Sequence, residues 1–306
     1  MLKHKIQWDE KTAVITGSAS GIGKAIAIAL AKKGVTVHLV DIRQERIVAM
    51  LDELSCDNNI CGHTVDVTVP EQLEQLATSL RGKVDILINC AGILHQGKLA
   101  TTTSKELHQV MDVNLWGVIN SIKAFLPQMS NSKQGGHIIN IASIAGLIGA
   151  PEMSLYNASK CAILGLSESL AIELASEKIQ VAAICPGSVN TNLSRDGLFS
   201  SNSTVAQTLH RIINTGVDPD RVALDIIQVI ESSSLFKLSC VELHWQILWL
   251  CKRMFPSLYP KFASIFYHKI VDKGLLNFFL TVKTKIRKWL WLSHSNDLSQ
   301  KMTKAD

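Results

Sequence analysis

The stretch SLYNASKCAILGLSESLAIELA places a tyrosine, Tyr156, four residues ahead of a lysine, Lys160. On a helix, residues i and i+4 share a face, so the phenol and the ammonium stand one above the other. A phenol of ordinary pKa, about 10, is a poor proton acceptor at neutral pH, and a neighbouring cation stabilises its phenolate. The pair can therefore form a general acid/base centre in which Lys160 draws the Tyr156 pKa down. Taken alone, the same spacing is also that of an ordinary polar pair on a helix flank.

A different chemistry is written near the start, in TGSASGIGKAIA, residues 16–27. Gly17, Gly21 and Gly23 allow a tight turn and close backbone approach, and the helix that opens there points free N–H groups and its positive end at an anion. This is a seat for a phosphate or pyrophosphate. A nucleoside triphosphate loop would need glycine at position 18 and Ser or Thr at 25, where Ser18 and Ala25 stand. Three glycines can also be simple turn punctuation. Asp41, 18 residues beyond Gly23 in HLVDIR, suits the two hydroxyls of an adenosine ribose and would repel a 2′-phosphate. Arg43 pulls the other way, because a guanidinium pairs with such a phosphate, and Asp41 can equally be a residue opening the next helix.

These groups need a scaffold that brings them together. TAVIT (12–16), VTVHLV (35–40), a weaker CGHTVDV (61–67), VDILIN (84–89), GHIINIA (136–142) and IQVAAIC (179–185) read as buried strands. Amphipathic stretches alternate with them, which predicts right-handed crossovers and an α/β fold: a doubly wound parallel sheet covered on both faces. In such a sheet ligands sit at the carboxyl ends of the strands, near the point where strand order reverses. Each candidate group follows a strand: Asp41 the second, Asp66 the third, NCAG (Asn89 to Gly92) the fourth and PGSVNT (Pro186 to Thr191) the sixth.

TGSASGIG, Asp66, NCAG, Asn114 in DVNLWG, Ser143 in NIASIAG, YNASK and PGSVNT occur in one order, with Ser143 13 residues before Tyr156 and Asn114 29 before Ser143. In this the chain resembles the short-chain dehydrogenase/reductase family from about residue 10 to about 235, and the resemblance implies a Rossmann-type fold. It further implies a catalytic set of Asn114, Ser143, Tyr156 and Lys160. Tyr156 would exchange a proton with an alcohol or carbonyl while hydride passes to or from a nicotinamide, and Ser143 would hold the substrate oxygen. Lys160 would also bind the nicotinamide ribose, and Asn114 would support a proton-carrying water chain. The cofactor contacts implied are Gly17, Ser20, Gly21, Ile22, Gly23, Asp41, Asp66, Val67, Asn89, Ala91, Gly92, Tyr156, Lys160, Pro186, Gly187, Val189 and Thr191. NAD is favoured and NADP is the alternative. One departure is Cys90, where the family often has a second asparagine. The resemblance also suggests a homodimer or homotetramer built on the helices that carry Trp116 and Tyr156.

Composition supports one large domain with an appendage: 306 residues, 47% hydrophobic and 19% charged. The seven cysteines form no CxxC pair and are odd in number, so they read as mostly buried, reduced thiols, and Cys240 with His244 lacks the partners of a metal site. The N-terminus shows no secretory h-region and no run of 18 apolar residues occurs, so a cytoplasmic location is expected, with attachment to the cytoplasmic face of a membrane as a further possibility.

Charge is distributed unevenly. Residues 241–306 hold 11 Lys/Arg against 4 Asp/Glu, leaving 20 against 22 for residues 1–240, so a catalytic domain of 1–240 and a helical extension of 241–306 are expected. The extension interleaves Trp245, Trp249, Trp289 and Trp291 with Lys252, Arg253, Lys285, Arg287 and Lys288, a mixture suited to a headgroup boundary. Peripheral membrane contact through 241–292 is the expectation, and packing on protein the alternative. Nucleic acid is not an expected partner.

Leu94, His95, Leu147, Ile148, Met153 and residues 191–204 are expected around the reacting centre, and their apolar character suggests a hydrophobic secondary alcohol or ketone, sterol-, retinoid- or acyl-lipid-like. His95 is read either as a substrate contact or as a surface residue. The rival readings are an NADPH-dependent ketone reductase and a nicotinamide-sensing protein without turnover.

Overall fold

In the computed structural model, residues 6–54, 59–80, 84–130, 135–199, 204–232 and 234–273 are described. The strands are β1 (Thr12–Thr16), β2 (Thr36–Asp41), β3 (Ile60–Thr64), β4 (Ile86–Asn89), β5 (His95–Gln96), β6 (Gly136–Ile141), β7 (Ile179–Cys185), β8 (Leu198–Phe199) and β9 (Phe236–Cys240). The helices are α1 (Gly21–Ala31), α2 (Gln44–Glu53), α3 (Pro70–Ser79), α4 (Ser104–Met111), α5 (Gly117–Ser130), α6 (Ile144–Leu147), α7 (Ser154–Glu173), α8 (Thr204–Asn214), α9 (Pro219–Ile230), α10 (Leu243–Met254) and α11 (Leu258–Lys273).

Seven parallel strands form one sheet in the order β3-β2-β1-β4-β6-β7-β9. Alternation along each strand sends Ala13, Ile15, Val37, Leu39, Ile86, Ile88, Ile139, Ile141, Ala182 and Ile184 into a core with Ile26 and Leu30 of α1 and Val222, Ile226 and Ile230 of α9. Val14, Leu87, Ile138 and Val181, one residue out of phase, are also buried, and α5 and α7 run against β4, β6 and β7. Burial on both faces explains why these strands read as continuous β-branched runs. Strand order reverses between β1 and β4, which opens a crevice at their carboxyl ends.

Local signals set the helix starts. Asp218 caps α9 by accepting from Asp220 N at 2.9 Å, with Pro219 in the first turn. Thr103 and Glu106 cap α4 reciprocally. Strand β9 is a seventh member of the sheet that the sequence reading did not include, and β5 and β8 form a separate parallel pair beside the crevice.

The chain divides into two compact units, residues 1–254 and 255–306, so α10 belongs with the first unit rather than with the extension expected to begin at 241. On α10, Leu243, Ile247, Leu250 and Met254 are all exposed at helical spacing. In the second unit, Leu258, Phe262 and Ile265 of α11 are likewise exposed on one face. Residues 274–292, with Trp289, Trp291 and the basic cluster around them, lie outside the described residues. Among the described residues no helix is long and apolar enough to cross a membrane.

Candidate active site

The crevice begins at the glycine turn between β1 and α1. Gly17 and Gly21 adopt φ of +63° and +52°, conformations that favour glycine. A Cβ on Gly17 would lie 2.7 Å from the backbone of Ala91, one on Gly21 would lie 2.9 Å from the Thr191 methyl group, and one on Gly23 would strike the Gly17 carbonyl. The turn thus packs backbone to backbone against the NCAG segment and against the Thr191 side chain of the loop after β7, and α1 opens beside it. This cradle fits a pyrophosphate, since any side chain here would fill it. Ser20 precedes α1 in extended conformation without capping it, and Ile22 lies in its first turn.

Asp41, at the end of β2, accepts from Ala19 N at 3.2 Å and from its own neighbour Arg43 N at 3.1 Å. The carboxylate is thereby held over the glycine turn. Asp66 accepts from Thr68 N at 2.9 Å and from Thr68 Oγ1 at 2.7 Å, an arrangement that shapes the turn after β3, and Val67 packs where a Cβ on Gly117 would stand. Asn89 donates to Asn140 Oδ1 at 2.8 Å, while its own Oδ1 is buried without a partner among the described residues.

The four residues of the expected catalytic set come together. Ser143 opens α6 and accepts from Ala145 N at 3.1 Å, and its hydroxyl stands beside the Tyr156 phenol, close enough to lower its pKa. Tyr156 lies in an apolar cluster with Leu94, Ala145, Met153 and Ile213, bordered by Leu193, Phe199 and Leu209. Lys160 Nζ stands 5.8 Å from the Tyr156 ring centroid and donates to Ile141 O at 2.9 Å. Asn114 is 0% exposed. It lies in a widened π-type turn, Asp112–Trp116, accepts from Ile93 N at 2.8 Å, and donates to Ile93 O at 2.9 Å and to Ser159 Oγ at 3.1 Å. Ser159 in turn donates to Tyr156 O at 2.8 Å, so Asn114 braces the NCAG loop against the helix carrying Tyr156. A Cβ on Gly92 would sit 3.3 Å from Asn114 Oδ1 and 3.4 Å from Lys160 Nζ, which ties Gly92 to the same cluster.

The electrostatics differ from the expectation. Burial pushes the Tyr156 phenol up to about 12, against a lowering contribution from the Ser143 hydrogen bond. Burial likewise pulls the Lys160 ammonium down to about 8. The expected lowering of the Tyr156 pKa by Lys160 is not found: loss of water dominates at both groups.

On the far side of the crevice Pro186 O accepts from Ile144 N at 2.9 Å, and Val189 pairs with Val217 across an isolated bridge. Thr191 Oγ1 accepts from Leu193 N at 3.3 Å. Gly187 is flanked by two side chains the sequence reading had assigned to the extension, Glu242 and the Trp245 indole, whose Nε1 donates to Glu242 Oε2 at 3.0 Å. Further along α10, Lys252 Nζ donates to Leu147 O at 2.6 Å. Helix α10 therefore reaches from the loop after β7 to the end of α6. His95 is no surface histidine: it is 1% exposed, and neither ring nitrogen has a partner among the described residues.

The model for the family described as short chain dehydrogenase matches residues 11–198, more than half of the chain. The chain belongs to the short-chain dehydrogenase family. As a short-chain dehydrogenase it is an NAD(P)-dependent oxidoreductase. It is 39% identical over 189 residues to dehydrogenase/reductase SDR family member 6 of Danio rerio, spanning 61% of this chain and 75% of that one. It is 36% identical over 196 residues to an uncharacterized oxidoreductase of Staphylococcus saprophyticus, spanning 62% and 83%. Among solved structures, a short chain dehydrogenase/reductase from Burkholderia phymatum in complex with NAD is 26% identical with a TM-score of 0.76, covering 83% of this chain and 96% of that one. The parallel sheet and flanking helices of this short-chain dehydrogenase are thus the Rossmann-type arrangement.

Proposed function

We propose that this dehydrogenase moves a hydride between a nicotinamide dinucleotide, NAD in preference to NADP, and a hydrophobic secondary alcohol or its ketone, with Tyr156 as the general acid/base. The observation that carries the reading is the Tyr156 phenol beside Ser143 inside an apolar cluster, with Lys160 Nζ 5.8 Å from its ring centroid. The bound dinucleotide supplies the hydride acceptor or donor. Gly17, Ser20, Gly21, Ile22 and Gly23 cradle its pyrophosphate, Asp41 its adenosine ribose, Asp66, Val67, Asn89 and Ala91 line the adenine side, and Gly92 borders the dinucleotide beside Asn114 and Lys160. Pro186, Gly187, Val189 and Thr191 face its nicotinamide end.

Tyr156 and Ser143 present two hydroxyls to one substrate oxygen. Ser143 holds that oxygen, and Tyr156 exchanges its proton. A phenol of pKa about 12 holds its proton firmly at neutral pH, which suits donation to a ketone oxygen; the reverse direction requires the charged form of Lys160 to stabilise the phenolate. Asn114 holds the Tyr156 helix and the Ile93 backbone in register. Leu94, Met153, Ile213 and Phe199 favour an apolar substrate body.

The exposed stripe on α10, beside Lys252 and Arg253, supports peripheral contact with an anionic lipid surface. Trp116, 53% exposed at the end of the π-type turn before α5, and Ile172, 73% exposed on α7, support a homo-oligomer that buries them. The test of the central reading is NADH formation from NAD over a panel of lipophilic secondary alcohols, with wild type and Tyr156→Phe compared. Turnover that vanishes in the variant is expected. Equal rates in the two proteins would refute the role of Tyr156.

A further inference from the structure

The loop that follows β7 crosses the crevice. Thr191 rests against Gly21 of the glycine turn, Leu198 and Phe199 pair with His95 and Gln96, and between these two anchors Asp196 reaches the start of α2. There it accepts from Arg43 Nη1 at 2.6 Å and from Arg46 at 2.8 and 3.3 Å. These partners lie 153 and 150 residues away in the chain. Asp41, the residue placed on the adenosine ribose, bonds Arg43 N, and its charge also acts on Arg46. Burial works against the Asp196 carboxylate, yet the hydrogen bonds from Arg46 and Arg43 hold its pKa below the ordinary value.

A 2′-phosphate on the adenosine ribose is bound by arginine close to the ribose-binding acid. This chain carries two such arginines, which by themselves would favour NADP, and an internal carboxylate already occupies both.

We propose that Asp196 is the residue that discriminates between the two dinucleotides: it takes the place of a 2′-phosphate on Arg43 and Arg46, and in doing so straps residues 191–199 across the seat. An NAD molecule leaves this arrangement intact and is enclosed by it. An NADP molecule must displace Asp196, place its phosphate beside Asp41 and release the strap. The inference rests on the dinucleotide seat and NAD preference proposed above, and adds the source of that preference.

The experiment is equilibrium binding of NAD and of NADP, by calorimetry, to the full chain and to Asp196→Asn. Removing the carboxylate frees two cations, so NADP is expected to bind about tenfold more tightly while NAD binds about threefold more weakly as the strap loosens. Adding Arg43→Met and Arg46→Met to that variant is expected to abolish the NADP gain. An affinity ratio unchanged by Asp196→Asn overturns the proposal, as does a gain that survives loss of both arginines, because a merely structural role for Asp196 moves both affinities together. Wild-type protein that binds NADP the more tightly refutes the NAD preference and this inference alike, whereas an unchanged ratio in a wild type that favours NAD refutes the role of Asp196 alone.

Discussion

Replacing Lys160 with methionine should remove turnover and yet stabilise the protein. Lys160 is 5% exposed, and burial lowers its pKa from 10.5 to about 8. At 1.36 kcal/mol per tenfold change in proton affinity, keeping this amine charged at pH 7 costs the folded state about 3 kcal/mol. Methionine is of similar length and carries no charge, but it leaves the Ile141 carbonyl without the 2.9 Å hydrogen bond from Nζ, at a cost of about 1 to 2 kcal/mol. The net gain is about 1 to 2 kcal/mol, a few degrees in Tm for a unit of this size. Its pH dependence identifies the cause. Below pH 8 the folded and unfolded chains both hold the proton, and the full penalty stands. Between 8 and 10.5 the unfolded chain keeps the proton while the folded chain sheds it, so wild-type stability rises with pH; above 10.5 the penalty is gone. Urea unfolding of both proteins from pH 7 to 10.5 should therefore show the variant ahead at pH 7 and slightly behind at the upper end. A variant less stable than wild type at pH 7, or a gap that does not change with pH, would refute the reasoning. Such a gain alongside lost activity would mark Lys160 as a residue kept for chemistry at the expense of stability.

Two further substitutions probe the scaffold. Asn114→Ala strips Ile93 N, Ile93 O and Ser159 Oγ of a buried partner and should cost about 3 kcal/mol in urea unfolding, with turnover falling further than dinucleotide affinity. Gly17→Ala forces a side chain into a φ of +63° with its Cβ 2.7 Å from Ala91 backbone, so a loss of more than about 2 kcal/mol and of measurable NAD binding is expected in melting and calorimetry.

The six strands read from the sequence all appear, two with the expected bounds and the others with ends displaced by at most three residues, because buried parallel strands leave a local mark in β-branched runs. β9 left none: FKLSC is short and carries Lys237 and Ser239, and only pairing with β7 makes it a strand. The glycine turn was legible for the same local reason, since a positive φ and a close approach both require glycine within a few residues. The pairing of Tyr156 with Lys160 was legible as spacing on one helix, but its electrostatics were not. Burial on all sides, a property of the packed chain, raised one pKa and lowered the other.

What the sequence by itself determined is therefore the set of elements and the chemistry each strand end carries, because helical and strand periods and glycine turns act over a few residues. What only the tertiary structure decided is which distant groups meet. Asn114 reaches Ile93 through a π-type turn, Asp196 reaches Arg43 and Arg46 across 150 residues or more, and Trp245 of α10, with Glu242 just ahead of that helix, closes on Gly187 from a segment whose composition spoke for a separate appendage. Contacts of that range depend on how the strands are ordered and the loops are closed, and on the water excluded between them, none of which has a local signature in the chain.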